Sequence, residues 1–310
     1  MVCVRQRVFF EVDGVPVVGD LYLPALEAPH RAVVVAGPMT SVKEQVTGVY
    51  ACALAQRGFA ALALDHRHYG ESGGLPRQYE LWMDKVHDLR ASVDWLAARP
   101  DIDAARMGLV GVCLGAGYAA WASVGHPRVR ALGAVAGYYR DPTELREKDP
   151  LGFRDKVEAG RAAREHFEAT GELRTIPAVA LEGDAAMTLP DTYDYYATRR
   201  AAVPNYRNEL AVMSREHFLP FDVQAAAVEV TAPLAMVHSE KALSPAWARR
   251  FYDRVRAPKS MHWLESNNQV DFYDDPRLVR AATDHIARHL REHLDAPSSP
   301  GTPETPERRC

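Results

Sequence analysis

An α/β architecture, with a mostly parallel central sheet covered by helices on both faces, is predicted by three observations. Segments 31–36, 59–64, 107–112 and 129–136 are near-continuously apolar rather than alternating, as expected of strands buried on both faces. Stretches with helical spacing separate them, at 46–57 and 81–98. Turn-forming residues follow each strand, and ligands in such sheets bind beyond the carboxyl ends of the strands. The 310 residues suffice for one large domain, or for a core with an insertion.

In chain order, residues 8–24 read as a strand, an Asp13-Gly14 turn and a second strand. The strand at 31–36 is halted by Gly37-Pro38, and the helix at 46–57 stops at Gly58. The strand at 59–64 runs into Asp65-His66-Arg67-His68-Tyr69-Gly70-Glu71-Ser72-Gly73-Gly74. After the helix at 81–98 come the strands at 107–112 and 129–136. From 138 to 230 the chain is rich in charge and aromatics, with helical stretches at 155–170 and 192–200, and reads as an inserted cap. The core resumes over 231–295 with a strand at 233–238, a helix at 245–255, a short strand at 260–264 and a closing helix at 277–294. The division is therefore core at 1–137, cap at 138–230, core at 231–295 and a proline-rich disordered tail at 296–310.

Residues 107–118 carry the strongest chemical signal. Gly111-Val112-Cys113-Leu114-Gly115 is a G-x-C-x-G between a strand and a helix. Small residues on both sides of the apex allow the backbone to double back and present the apex side chain at the sheet's carboxyl edge. The helix amino terminus aimed at it predicts a thiol of lowered pKa.

Bulk composition narrows the function. Hydrophobic residues make up 47% and charged residues 25%, and the net charge of −4 comes without a basic stripe, which argues against nucleic acid. No apolar run has the length of a membrane span and no signal-peptide core is visible, so a cytoplasmic protein is expected. Cysteines 3, 52, 113 and 310 have neither metal nor disulfide spacing. No cofactor is expected, for want of a phosphate-binding lysine loop and of clustered metal ligands. The expected partner is a small-molecule substrate, and a homodimer is left open.

With these pieces placed, the chain resembles the α/β-hydrolase superfamily, in a dienelactone-hydrolase-like branch with cysteine at the nucleophile elbow. The resemblance rests on Val42-Lys43-Glu44-Gln45, Gly70-Glu71-Ser72-Gly73-Gly74-Leu75-Pro76-Arg77, the G-x-C-x-G, Tyr193-Asp194-Tyr195-Tyr196 and Val270-Asp271-Phe272-Tyr273-Asp274, in that order. It implies an α/β-hydrolase fold with an inserted helical cap, Cys113 as nucleophile, and an oxyanion hole from the backbone N–H groups of Met39 and Leu114. Gln269 stands where the family carries its histidine base, and an amide cannot carry that proton near neutral pH. Glu240 is the available acid, while the position aligned with the family's aspartate is Ala242.

His68 and His217 are the substitute bases to test; His66 and His262 lie near strand ends. Glu44 is either an acid near the oxyanion loop or a buttress for it, and Arg67, Glu71 and Ser72 are read as fixing the second loop. Tyr138, Tyr139 and Arg140 are read as pocket-lining or as core beneath the cap. The expected function is attack on an ester, lactone or thioester carbonyl of a small to mid-sized organic substrate in specialised metabolism, with acyl transfer, cyclisation or elimination favoured over hydrolysis. The alternatives are a non-covalent lyase or isomerase and a catalytically silent ligand-binding homologue.

Overall fold

Asp13 and Gly14 both adopt positive φ (53° and 75°), the turn geometry that matches the right-handed twist of a hairpin. They join β1 (Val4–Val12) to β2 (Val15–Leu23) in antiparallel register in a computed structural model that describes residues 3–296. The predicted tail falls, apart from Ala296, outside the described residues. The chain continues through β3 (His30–Ala36), α1 (Val46–Ala55), β4 (Ala60–Leu64), α2 (Trp82–Ala97), β5 (Ile102–Val112), α3 (Gly115–Ser123) and β6 (Val129–Val135). A long excursion follows: α4 (Pro142–Lys148), α5 (Pro150–Thr170), β7 (Thr175–Ile176), α6 (Pro190–Ala197), β8 (Leu210–Ala211), α7 (Ser214–Phe218) and a 3-10 turn at Gln224–Val228. The closing elements are β9 (Leu234–His238), α8 (Pro245–Arg254), β10 (Lys259–Trp263), α9 (Asp271–Asp274) and α10 (Pro276–Leu294).

Eight strands form one sheet in the order β1-β2-β4-β3-β5-β6-β9-β10, in which β2 alone runs antiparallel to the rest. Residues 32–36 of β3 are wholly buried, as continuous apolar strands require. Helices α1 and α10 pack together against the sheet, and α2 packs with α3 against it. After β3 the chain moves outward to β4, whereas after β5 it moves the opposite way to β6. This switch opens a crevice beyond the carboxyl ends of β3 and β5, where the Gly37–Gln45 loop and Cys113 lie.

Two sequence readings change. Strand β5 starts five residues before the predicted 107, because His30 of β3 pairs with Ile102 and the ladder resumes at Ala32–Met107, with residues 103–106 carried across a bulge. The cysteine spacing suggested neither metal nor disulfide, and Cys3 and Cys52 are free thiols, but their Sγ atoms lie 3.2 Å apart where the start of the hairpin meets α1. No helix among the described residues is long and apolar enough to cross a membrane.

Candidate active site

The Cys113 backbone is left-handed, at φ 56°, a conformation that costs a non-glycine residue about 1–3 kcal/mol and is held only where its surroundings fix it. Cys113 N–H donates to Val135 O (3.1 Å), and Cys113 O accepts from Tyr138 N–H (2.9 Å). A Cβ on Gly111 would sit 2.3 Å from Gly115 O, and one on Gly115 would sit 2.2 Å from Ala36 O. Helix, β5 and β3 are therefore packed too closely at the turn for any side chain but hydrogen. Cys113 as a residue is 8% exposed.

Burial pushes the Cys113 thiol above its ordinary pKa, partly offset by hydrogen bonds from the Tyr273 hydroxyl, the Leu114 N–H and the Gln269 amide; Asp191 adds to the rise. The lowered pKa expected from the helix terminus is thus corrected. The dipole is present, but desolvation outweighs it.

Gln269 is fastened at both ends by backbone. Its Nε2 donates to Ala136 O (2.8 Å), and its Oε1 accepts from Leu243 N–H (2.9 Å), which fixes the orientation of the amide. A carboxylate is needed to steady an imidazolium, but an amide oxygen held by a backbone N–H needs none, and the nearby Ala242 is a buried apolar residue. Tyr273, on α9, completes the polar contacts of the sulfur. Burial raises its phenol well above the ordinary range, so it stays a hydrogen-bond donor. The sequence showed Tyr273 only as part of a matching run and gave no sign that its ring reaches Cys113.

Above the thiol lies a cavity of about 460 Å³, within the range of small-molecule sites. Its floor holds Met39, Cys113, Leu114, Gln269 and Tyr273, and much of its roof comes from α5 and from residues 186–192. Met39 and Leu114, the two residues of the oxyanion reading, line the same cavity as Cys113. A buried ion pair the sequence did not reveal braces this floor. Glu80, wholly buried, accepts from Thr40 N–H (2.9 Å) through Oε2, and from Tyr118 Oη (2.6 Å) and Lys85 Nζ (2.6 Å) through Oε1. One carboxylate thus ties the Met39 loop to the helix behind Cys113.

The remaining candidates lie elsewhere. Glu240 is on the surface, its side chain 65% exposed and paired with Arg249, so it is not an acid of this site. His68 is turned away, with Nδ1 against Pro76 O (2.9 Å) and Nε2 against Asp84 (3.0 Å), and it shapes its own loop. His217 lies on α7 beside Glu216 but does not line the cavity, although the next two residues do. None of the twelve histidines, all among the described residues, lines it. Tyr139 packs into the core against Phe251 with ring centroids 4.3 Å apart, so it is no substrate contact, whereas Tyr138 and Arg140 line the cavity.

Lys43 Nζ is wholly buried among Glu44 (2.7 Å), Asp65 (2.7 Å) and Glu71 (2.5 Å). These carboxylates are close enough together to hold a metal ion, but the ammonium already occupies their centre. Glu44 also accepts from Asn205 Nδ2 (2.8 Å), as a buttress. Arg67 pairs with Asp88 (2.6 Å), and Ser72 Oγ donates to Asp65 O (2.6 Å), so both fix the second loop.

Strand order, the left-handed turn after β5 and the cavity over the switch point define the class: this is an α/β-hydrolase-fold protein. A profile of FrsA-like esterases matches residues 1–141. The chain is 33% identical to the uncharacterised protein YcjY of Escherichia coli (strain K12), over 86% of this chain and 89% of that one. It is 32% identical to protein PA2218 of Pseudomonas aeruginosa, over 94% and 81%. The crystal structure of PA2218 matches with a TM-score of 0.80 at 28% identity, covering 94% of each chain. The thiohydrolase aneE of Aspergillus aculeatus is 35% identical over 127 residues, 41% of this chain and 39% of that one. The chain belongs to the same family as YcjY and PA2218, and is an enzyme of the α/β-hydrolase type.

Proposed function

We propose that the protein is an acyl-transfer enzyme that takes a thioester-bound acyl group onto Cys113 and passes it to an acceptor other than activated water. The observation that carries this reading is the company of the thiol: an amide and a phenol as side-chain partners, with no imidazole on the cavity wall. Gln269 cannot accept the thiol proton, and Tyr273 is held as a donor. Attack on an oxygen ester would leave an alkoxide to be protonated without an acid of suitable pKa. Attack on a thioester has no such demand. The Cys113 sulfur adds to the carbonyl carbon, the bond to the leaving sulfur breaks, and the thiol proton passes to that sulfur, whose affinity for it is similar. The carbonyl oxygen lies between the N–H groups of Met39 and Leu114, each such donor contributing about 3–4 kcal/mol where charge develops. An acceptor hydroxyl or amine, external or on the same acyl chain, then releases the product and returns a proton to the sulfur. The roof between β6 and β9 acts as a cap that excludes water, and similarity to a protein named a thiohydrolase supports the thioester choice.

The test is intact-mass spectrometry of wild type and Cys113→Ser after exposure to matched acyl thioesters and alkyl oxygen esters. The expected result is an acyl adduct on the wild type alone, formed faster from thioesters. Absence of any adduct, together with turnover by Cys113→Ala, would transfer the reading to non-covalent lyase or isomerase chemistry around Gln269.

A further inference from the structure

Arg140 is the least exposed arginine among the described residues, at 3%, and it lines the same cavity as Cys113. Two other arginines are comparably buried, and each faces a carboxylate: Arg67 pairs with Asp88 and Arg215 with Asp184. Arg140 has no carboxylate partner among the described residues. One Nη donates to Leu219 O (2.9 Å), the guanidinium lies 4.5 Å from the Phe218 ring centre, and the buried Nε has no acceptor. Burial lowers the Arg140 pKa, with only the Tyr138 and Tyr118 hydroxyls opposing, yet a guanidinium stays charged at any working pH. A buried cation without a counter-ion is costly, and folds rarely keep one that nothing pairs. The cavity's other charged lining residues are Lys148, Lys156 and Asp149, so the wall carries three cations against one anion in a chain whose net charge is −4. Asp149 is moreover engaged, accepting from Gly152 N–H at the start of α5 (3.0 Å).

We infer that Arg140 is an anion subsite of the Cys113 cavity and that the acyl group this enzyme handles carries a carboxylate, which supplies the missing counter-ion. The inference rests on the acyl-transfer reading for the identity of the ligand, but not for the existence of the subsite. Tyr138 lines the same cavity two residues before Arg140, and its N–H donates to Cys113 O (2.9 Å), so the anion subsite adjoins the thiol. The planar fork of arginine suits a carboxylate, and Lys148 and Lys156 draw an anionic chain toward it. Arg140 is thus assigned to substrate selection, apart from the bond-making atoms.

The experiment compares the N-acetylcysteamine thioester of glutaric acid, which ends in a free carboxylate, with its methyl ester, which differs only in that charge. Binding is measured by calorimetry on Cys113→Ala, and acylation by intact mass on the wild type. The free acid is expected to bind and react about tenfold better or more, as a charge-assisted pair in a desolvated site requires. In Arg140→Gln that ratio falls to near unity, and Arg140→Lys restores part of it. Equal binding of the two compounds by Cys113→Ala overturns the subsite, and because this comparison needs no Arg140 variant it stands even if Arg140→Gln misfolds. Preferential binding without a wild-type adduct keeps the subsite and sinks the covalent reading; adducts without preference do the reverse. A third compound, the coenzyme A thioester of the methyl-protected acid, separates the two sources of anion. If it alone is preferred, and the preference depends on Arg140, the group bound is a phosphate of the carrier arm and the acyl carboxylate is refuted.

Discussion

Replacing Glu80 by glutamine removes one charge and almost no volume, yet it should be among the most damaging changes outside the thiol itself. Oε2 accepts from Thr40 N–H while Oε1 accepts from both Lys85 Nζ and Tyr118 Oη. A glutamine in either orientation sets its NH₂ against a donor, Thr40 N–H in one case and the Lys85–Tyr118 pair in the other. Lys85, 2% exposed, is also left as a buried cation without its anion. Breaking such a pair from one side costs about 3–5 kcal/mol. At about 2.1 cal/mol/K per residue the unfolding entropy is about 0.65 kcal/mol/K for 310 residues, which lowers the Tm by about 5–8 °C. The assay is calorimetric melting of wild type, Glu80→Gln and Glu80→Gln/Lys85→Met, and the double variant should recover much of the loss because no cation is left unpaired. Burial alone would raise the Glu80 pKa, but Lys85, Tyr118 and the Thr40 N–H bring it below its ordinary value. The charged form is therefore the stabilising one: its contribution is complete above the unfolded value of about 4.3 and is lost as pH falls through the folded value. The gap between wild type and Glu80→Gln should accordingly narrow in acid. A Glu80→Gln protein that melts with the wild type at neutral pH would refute the reasoning.

Three further outcomes follow from the site and from the fold. Because burial raises the Cys113 pKa, iodoacetamide labelling of that residue should climb about tenfold per pH unit up to at least about pH 9; a plateau near neutrality would contradict the assignment. Tyr273→Phe removes a donor to the sulfur and should slow that labelling about tenfold at fixed pH, corresponding to about 1.4 kcal/mol, with no comparable loss of melting temperature. Oxidised glutathione should close a Cys3–Cys52 disulfide, because the sulfurs already lie 3.2 Å apart, and peptide mapping that finds only glutathione adducts there would count against it.

What the sequence made legible was local. The Asp13-Gly14 turn, the apolar runs of the strands and Gly111, which meets Gly115 and Ala116 just after it, are legible from neighbours in the chain, whereas Gly115 is also needed because Ala36 of β3 comes close. The brace beneath the site draws on residues 40, 80, 85 and 118, four segments that no periodicity connects, and its members look like ordinary surface-type residues until folded. His68 shows a different limit. Its place at the sheet's active edge was legible, but a positive φ of 77° and two hydrogen bonds turn its ring into its own loop. The thiol's acidity was misjudged because a helix terminus can be read from sequence, whereas depth of burial cannot. Arg140 stood among the pocket candidates from the start. Its lack of a carboxylate only becomes visible once every neighbour is in place.

The double tether of Gln269 constrains how this pocket can change over generations. A neutral histidine at 269 keeps both tethers only by spending its ring N–H on Ala136 O and its lone pair on Leu243 N–H, which leaves no nitrogen to take a proton, and Ala242 offers its ring no carboxylate. A carboxylate placed first at 242 would enter a buried apolar position with no imidazole to meet it. Each step toward a conventional hydrolase is unfavourable without the other. On the acyl-transfer reading proposed above, the amide is thus a ratchet: position 269 cannot turn into a base by itself, and change is channelled into what the cavity wall admits.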